Sequence, residues 1–115
     1  MSQPKLLDTP LYALLHKDDI TGFNKERPQD GPIDMVGGDF RGLDLRELNA
    51  DGVDFRDAYF RSADLRGLDL RQATLDGASF VGCRLEGAQL AGARLVGTVR
   101  TFNPEVQAMV ESNST

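Results

Sequence analysis

Residues 33–97 form thirteen consecutive units of five residues, and this period constrains the fold more than any other feature of the sequence. The third residue of each unit is Leu, Phe or Met, except at Ala50; the first is apolar and often small; the fifth is Gly in nine units. On an α-helix, successive third residues would lie about 140° apart around the axis. On an uninterrupted strand they would alternate between opposite faces. Neither regular structure buries the apolar set.

A chain that coils around its own apolar side chains does bury this apolar set. The first and third residues then point inward, the second points outward, and the fourth and fifth turn a corner, where Gly tolerates positive φ. Like residues recur every twenty positions, as Phe40, Phe60 and Phe80 and again as Leu45, Leu65 and Leu85. We therefore predict a four-sided solenoid of a little over three coils, stacked as parallel ladders about 4.8 Å apart.

Units such as ADLRG at Ala63–Gly67 and LDLRQ at Leu68–Gln72 resemble the consensus A(D/N)LXX of the pentapeptide-repeat family. The resemblance implies an all-β solenoid, a right-handed quadrilateral β-helix of about three coils. Two kinds of departure from the consensus occur. Residues larger than the consensus prefers stand at the inward first position at Leu43, Leu48, Val53 and Leu68. Tyr59 and Arg84 replace the usual Asp or Asn at the second position.

Residues 1–32 are predicted to form a helical N-terminal cap and linker. Thr9 precedes Pro10 as a helix start, and Asp18 or Asp19 starts a second short helix that ends before Pro28. This segment is similar to the helical leaders of some family members. A cap covers the open apolar end and the unpaired strand edges of a coil stack. The residues expected to face the stack are Leu11, Leu14, Leu15, Ile20 and Phe23.

Residues 98–115 are predicted to be a C-terminal cap or tail, because Arg100 would be the next central residue and cannot enter the core. A helix start at Asn103 is followed by apolar residues at helical spacing. The segment is either a lid or a dimer contact. The candidate self-association surface comprises Val81, Ala91, Val96, Phe102, Val106, Met109 and Val110.

The composition bounds the class of protein. A length of 115 residues indicates one domain, and the net charge is −5. The single cysteine, Cys83, falls at an inward position and is expected to be a core residue. His16 is expected at the helix surface, since no second His exists to share a metal. Neither a leader pattern nor a long apolar span occurs, so we expect a soluble, cytoplasmic chain with no membrane partner.

The outward positions carry charges of both signs. Arg is frequent at the fourth position and Asp at the second. On the third face, which comprises the units at 43–47, 63–67 and 83–87, both signs swap in the third coil, at Arg84 and Glu86. This pattern is typical of a mutually compensating surface. The net negative charge opposes direct nucleic-acid binding. No spacing typical of a catalytic, cofactor-binding or metal site occurs, and the carboxylates follow the solenoid period; we expect no enzyme, no cofactor and no metal.

The sequence favours a non-catalytic protein-interaction module with an unidentified partner. The family resemblance implies an alternative: an acidic, rod-shaped dimer that mimics DNA and binds DNA gyrase or topoisomerase IV, as in quinolone resistance. The interleaved arginines argue against it. A rod of about 15 Å is also shorter than one DNA turn of about 34 Å, so mimicry requires an end-to-end dimer.

A candidate partner surface comprises Arg41, Tyr59 and Arg61, where an exposed aromatic is expected between two cations. Such groups are enriched in interaction hot spots. The competing interpretation is ordinary surface packing of the aromatic ring against arginines.

Overall fold

The computed structural model describes residues 3–29 and 31–91. In chain order it contains α1 (Pro10–His16), α2 (Ile20–Glu26), β1 (Ile33–Asp34) and β2 (Val53–Asp54). The two strands pair in parallel, with Ile33 opposite Val53 and Asp34 opposite Asp54. They are short because each straight segment of the repeat ends at a corner after about three residues.

Parallel bridges elsewhere in the repeats join residues that are twenty positions apart, such as Asp39 with Tyr59 and Tyr59 with Ser79. Backbone hydrogen bonds accompany them: the Phe40 N–H donates to the Tyr59 carbonyl at 2.8 Å, and the Tyr59 N–H donates to the Gly38 carbonyl at 3.0 Å. The chain therefore returns beside itself every four units. This is the spacing that the recurrence of Phe and Leu predicts.

The core is made of the inward first and third residues. Phe60 stacks on Phe40 and on Phe80, with ring centroids 5.3 and 5.5 Å apart and interplanar angles of 17° and 7°. Phe55 packs edge-on against Phe40 and Phe60. Of the bulky first-position residues, Leu48, Val53 and Leu68 are buried and Leu43 is partly buried. The interior thus accommodates these departures from the family consensus.

The corners use positive φ at the fifth residue, as the Gly pattern predicts. Gly67 and Gly77 have φ of +73° and +74°. Glu47, Asp57 and Ser62 occupy the same position with φ of 70°, 58° and 61°. Positive φ therefore recurs at this position even where a side chain makes it costly, although Gln72, also a fifth residue, does not adopt it.

Both helices begin where the sequence predicts. The Thr9 side chain accepts the Tyr12 N–H at 3.2 Å, and the Asp19 side chain accepts the Gly22 N–H at 2.9 Å. Of the five residues expected to face the stack, two are buried and three are partly buried against the core: Leu15 and Phe23, then Leu11, Leu14 and Ile20. The sequence reasoning missed Tyr12, which is also buried.

In residues 3–29 and 31–91, neither helix has the length and apolar character needed to cross a bilayer. The predicted C-terminal segment, 98–115, and the end of the last repeats lie outside the described residues. Five residues of the candidate self-association surface also lie outside them: Val96, Phe102, Val106, Met109 and Val110.

Candidate interaction surface

The outward face of the repeats is dominated by a recurring ion pair between the second and fourth residues of a unit. In each pair the Arg side chain donates to both carboxylate oxygens of the Asp two positions earlier, with N–O distances of 2.7–3.0 Å. We call this arrangement the Asp–Arg clip. It occurs in five units, at Asp39–Arg41, Asp44–Arg46, Asp54–Arg56, Asp64–Arg66 and Asp69–Arg71.

The local backbone positions each clip. In the unit at 63–67, Asp64 Oδ1 accepts the Arg66 backbone N–H at 3.2 Å, which closes an Asx turn at the corner. The carboxylate is thereby fixed where the planar guanidinium can contact both oxygens. Arg46 Nε also lies 3.4 Å from Asp64 Oδ2, so this carboxylate joins two stacked coils.

The clips lower carboxylate pKa values. Hydrogen bonds from the Arg66 side chain lower the pKa of Asp64 to about 2, and those from Arg71 lower the pKa of Asp69 to about 2. The Arg46 side chain likewise lowers the pKa of Asp44. These carboxylates stay ionised and paired at neutral pH, which makes them poor proton donors or acceptors for catalysis.

Charge compensation is observed mainly within units. The predicted compensation on the third face is present at Asp44, Arg46, Asp64 and Arg66. In the third coil, Arg84 and Glu86 are exposed, and within the part of the chain that the structure describes they form no ion pair with each other.

Arg61 departs from the clip pattern. Its unit is AYFRS, in which Tyr59 stands where five other units have the clipping Asp. Arg61 is exposed and, among the six fourth-position arginines, is the one without an ion-pair partner in residues 3–29 and 31–91. It lines an open groove of about 450 Å³ together with His16, Asp39, Arg41, Gly42 and Ser62.

The structure corrects one feature of the candidate partner surface. Tyr59 is partly buried and is not the exposed aromatic that the sequence suggests. Its backbone is bridged to Asp39 on one side and to Ser79 on the other. Arg41 is held by Asp39 at 2.9 Å. Of the three residues, Arg61 alone presents an unengaged charge within the described chain.

The first helix contributes His16 to the lining of this groove. The Tyr12 hydroxyl donates to the Asp39 carbonyl at 2.7 Å, and His16 Nε2 lies 2.7 Å from the Tyr12 hydroxyl and 2.9 Å from the same carbonyl. Burial is the largest effect that raises the pKa of Tyr12. The sequence placed His16 at the surface, but nothing local indicated its contact 23 residues away.

A larger groove, of about 640 Å³, lies between the start of α2 and the third face. Asp18, Asp19, Arg46, Glu47 and Arg66 contribute to its lining. Across the described segments, no group of three or more His, Cys, Asp or Glu side chains is arranged to hold a metal ion.

Cys83 is buried, as the sequence predicts, and burial raises the pKa of its thiol to about 12. A thiol in this environment is a poor nucleophile at neutral pH.

Two members of the candidate self-association surface are described: Val81 is partly buried and Ala91 is exposed.

The family model for Pentapeptide repeats matches residues 39–77 and 69–99, in eight copies. The two matches together span 39–99, more than half of the 115 residues. No curated protein and no solved structure matches the chain significantly. Pentapeptide repeats imply a right-handed β-helix in general, and proteins built from them are generally non-enzymatic structural or interaction modules. The chain belongs to the pentapeptide-repeat family.

Proposed function

We propose that the chain is a non-catalytic protein-interaction module that offers a rigid solenoid face to a partner protein. The observation that carries the proposal is Arg61. Five clips neutralise the equivalent arginines, whereas Arg61 lines an open groove and has no ion-pair partner among the described residues. An exposed, unneutralised guanidinium beside a groove is a feature typical of recognition surfaces.

The chemistry of the remaining side chains supports a non-catalytic role. The clipped carboxylates have lowered pKa values, and the Cys83 thiol is buried with a raised pKa. The imidazole of His16 is bound to the Tyr12 hydroxyl. The clipped aspartates, Cys83 and His16 are thus engaged in structural contacts or buried.

The proposal includes a capped, right-handed four-sided coil of about three turns. Lys5 forms a parallel bridge with Gly38 at the open edge of the first coil. The Asn24 amide donates to the Glu47 carbonyl at 2.8 Å and accepts the Asn49 N–H at 2.7 Å. These contacts supply partners to an edge that a preceding coil would otherwise satisfy, which supports a capping role for residues 1–32.

DNA mimicry fits the described surface poorly. A DNA mimic presents bare negative charge, whereas five aspartates here are each neutralised at 2.7–3.0 Å by an arginine. Inhibition of gyrase supercoiling by the purified chain would favour DNA mimicry over the interaction module proposed above. Sedimentation is the companion measurement, because a monomer at high micromolar concentration removes the end-to-end dimer that mimicry requires.

The function is tested by site-specific photo-crosslinking in cytosol, the compartment that we propose. A benzophenone side chain replaces Val81, which follows Arg61 one coil on in the same column, and in a matched control it replaces Ala91 in the column of Arg71. We expect a crosslinked partner from the first position and none from the control. Crosslinks from neither position, in chains that retain their folded spectrum, would contradict an interaction role for this face.

A further inference from the structure

We propose that Arg61 binds a carboxylate of an acidic segment on the partner protein, so that the partner completes in trans the clip that this chain closes elsewhere in cis. The proposal rests on the interaction function above and specifies the chemistry of its partner. It concerns the groove beside His16 and Ser62.

The five clips show which ligand a fourth-position Arg holds in this fold. In each, Nε and Nη2 contact the two oxygens of one carboxylate; at Arg71 the distances are 2.8 and 2.7 Å. The backbone at 58–62 follows the same register, since Tyr59 bridges Asp39 and Ser79 as the clipping aspartates bridge their own neighbours. Arg61 thus has the setting of a clip without the in-chain carboxylate.

The charge distribution favours an acidic ligand at this face. The second face comprises the units at 38–42, 58–62 and 78–82; its second and fourth positions carry one carboxylate, Asp39, against two guanidinium groups, Arg41 and Arg61. The equivalent positions of the other three faces, within residues 33–91, are neutral or net negative. The second face is therefore the positive face of a chain whose net charge is −5.

A short acidic peptide suits this distribution better than an extended polyanion. Attraction to Arg61 acts over roughly one Debye length, about 8–10 Å in physiological salt. A nucleic acid or an anionic membrane would also meet the two adjacent faces. At the same positions, the face with units 33–37, 53–57 and 73–77 is net negative and repels it, and the face with units 43–47, 63–67 and 83–87 is neutral. A peptide that enters the groove of about 450 Å³ meets Gly42, which has no side chain to obstruct it, and the Ser62 hydroxyl.

The test uses the full-length, ¹⁵N-labelled chain and the peptide acetyl-Glu-Glu-Glu-Glu-amide, followed by NMR at the arginine Nε–H signals. We expect the Arg61 Nε–H signal to shift with saturable binding, while the signals of the five clipped arginines move little. The peptide acetyl-Gln-Gln-Gln-Gln-amide should produce no shift.

Two variants remove one positive charge each. Arg61→Gln should weaken binding at least tenfold. The matched control Arg71→Gln removes an arginine that is already held by Asp69, and it should change the affinity less than twofold. Equal weakening by both variants would overturn the proposal, because binding would then follow net charge alone.

A third variant keeps every arginine. Tyr59→Asp restores the family pattern in this unit and supplies the missing carboxylate in cis; Asp already occupies that position in the five clipped units. We expect the Arg61 Nε–H signal to move into the range of the clipped arginines and peptide binding to be lost. Unchanged peptide affinity in a folded Tyr59→Asp chain would overturn the proposal.

Inorganic phosphate and phosphatidylserine vesicles test the other anions. Binding of either at Arg61 with affinity equal to or above that of the Glu peptide would overturn the preference for a carboxylate. A partner crosslinked through position 81 whose capture is insensitive to Arg61→Gln would refute this inference and leave the interaction function standing. Absence of any partner would refute the function itself.

Discussion

At the scale of single residues, the Asp–Arg clip combines a backbone turn with an ion pair. The Asp64 carboxylate accepts a backbone N–H, holds the Arg66 guanidinium and lies 3.4 Å from Arg46 in the adjacent coil. Exposed ion pairs contribute only about 0–1 kcal/mol each. The turn needs only an acceptor oxygen at position 64, so a substitution can remove the charge of Asp64 and leave the turn in place.

The first prediction isolates that charge with Asp64→Asn, which retains an acceptor for the turn. The folded pKa of Asp64 is about 2, below its ordinary 3.8, so its ionised form stabilises the fold above pH 4 and loses that effect as pH falls towards 2. The variant should melt a few degrees below wild type at neutral pH. The difference in melting temperature between the variant and wild type should become smaller as the pH falls from 4 to 2.

Thermal unfolding followed by circular dichroism at several pH values measures this difference. Asp8→Asn is the control, since Asp8 is exposed and has no arginine contact in the described structure. A difference for Asp64→Asn that is independent of pH would show that the ion pair contributes nothing.

The second prediction concerns the corner conformation at Gly67. Its φ is +73°, and a Cβ added there would meet nothing within 4 Å, so Gly67→Ala tests the backbone preference alone. We expect a loss of roughly 1–2 kcal/mol in the free energy of unfolding. Ser62→Gly should act in the opposite direction, because Ser62 already adopts φ of 61°. Urea denaturation measures both; an unchanged Gly67→Ala midpoint would contradict the argument.

At the scale of elements, α2 and the residue after it contact the open edge of the first repeats. The Asn24 side-chain amide gives one donor and one acceptor to the open edge at residues 47–49. The buried Arg27 donates to the Asn49 carbonyl at 2.7 Å. Side chains thus form the contacts that a preceding strand would form through its peptide groups.

The third prediction tests this substitute edge with Asn24→Leu, which removes both hydrogen bonds at similar volume. We expect a loss of about 1–2 kcal/mol in unfolding free energy and faster amide exchange at Asn49. Lys25→Ala, an exposed change on the same helix, is the control. Unaltered exchange at Asn49 in the Leu variant would mean that the amide does not protect the edge.

The stacked aromatic column is the second element whose stability can be tested. Phe60 contacts Phe40, Phe55 and Phe80, with ring centroids 5.2–5.5 Å apart. The fourth prediction is that Phe60→Ala costs about 3–5 kcal/mol, because neighbouring coils fix the cavity walls. Phe60→Leu should cost less, since Leu fills the equivalent position in other columns. Chemical denaturation distinguishes them, and equal losses would contradict specific packing of the column.

At the scale of the whole molecule, a stack of coils has two ends, and each end exposes apolar side chains and unpaired backbone groups. Tyr12, Leu15 and Phe23 from the helices belong to the same buried cluster as the first coil. The helices differ in structure from the repeats, so a neighbouring repeat could not take their place if they were removed.

The fifth prediction is that deletion of residues 1–28 produces aggregation or unfolding, measured by light scattering and circular dichroism. Tyr12→Phe is a milder companion that removes only the hydroxyl bonded to the Asp39 carbonyl, and it should lower the melting temperature by a few degrees. A deletion variant with unchanged melting behaviour would refute the capping role.

The period, the twenty-residue spacing, the inward set and the positive φ at most corners could be predicted from the sequence, because each follows from local rules repeated along the chain. It also identified Arg41, Tyr59 and Arg61 as a group. The three-dimensional structure was needed to show that Tyr59 is partly buried and that Arg61 alone of the six fourth-position arginines lacks an ion-pair partner in the described chain. It was also needed to show that Tyr12, His16 and Asn24 form hydrogen bonds to the first coil. The contacts of Tyr12, His16 and Asn24 each join a residue before the repeats to one inside them, and no periodicity signals which of these groups meet.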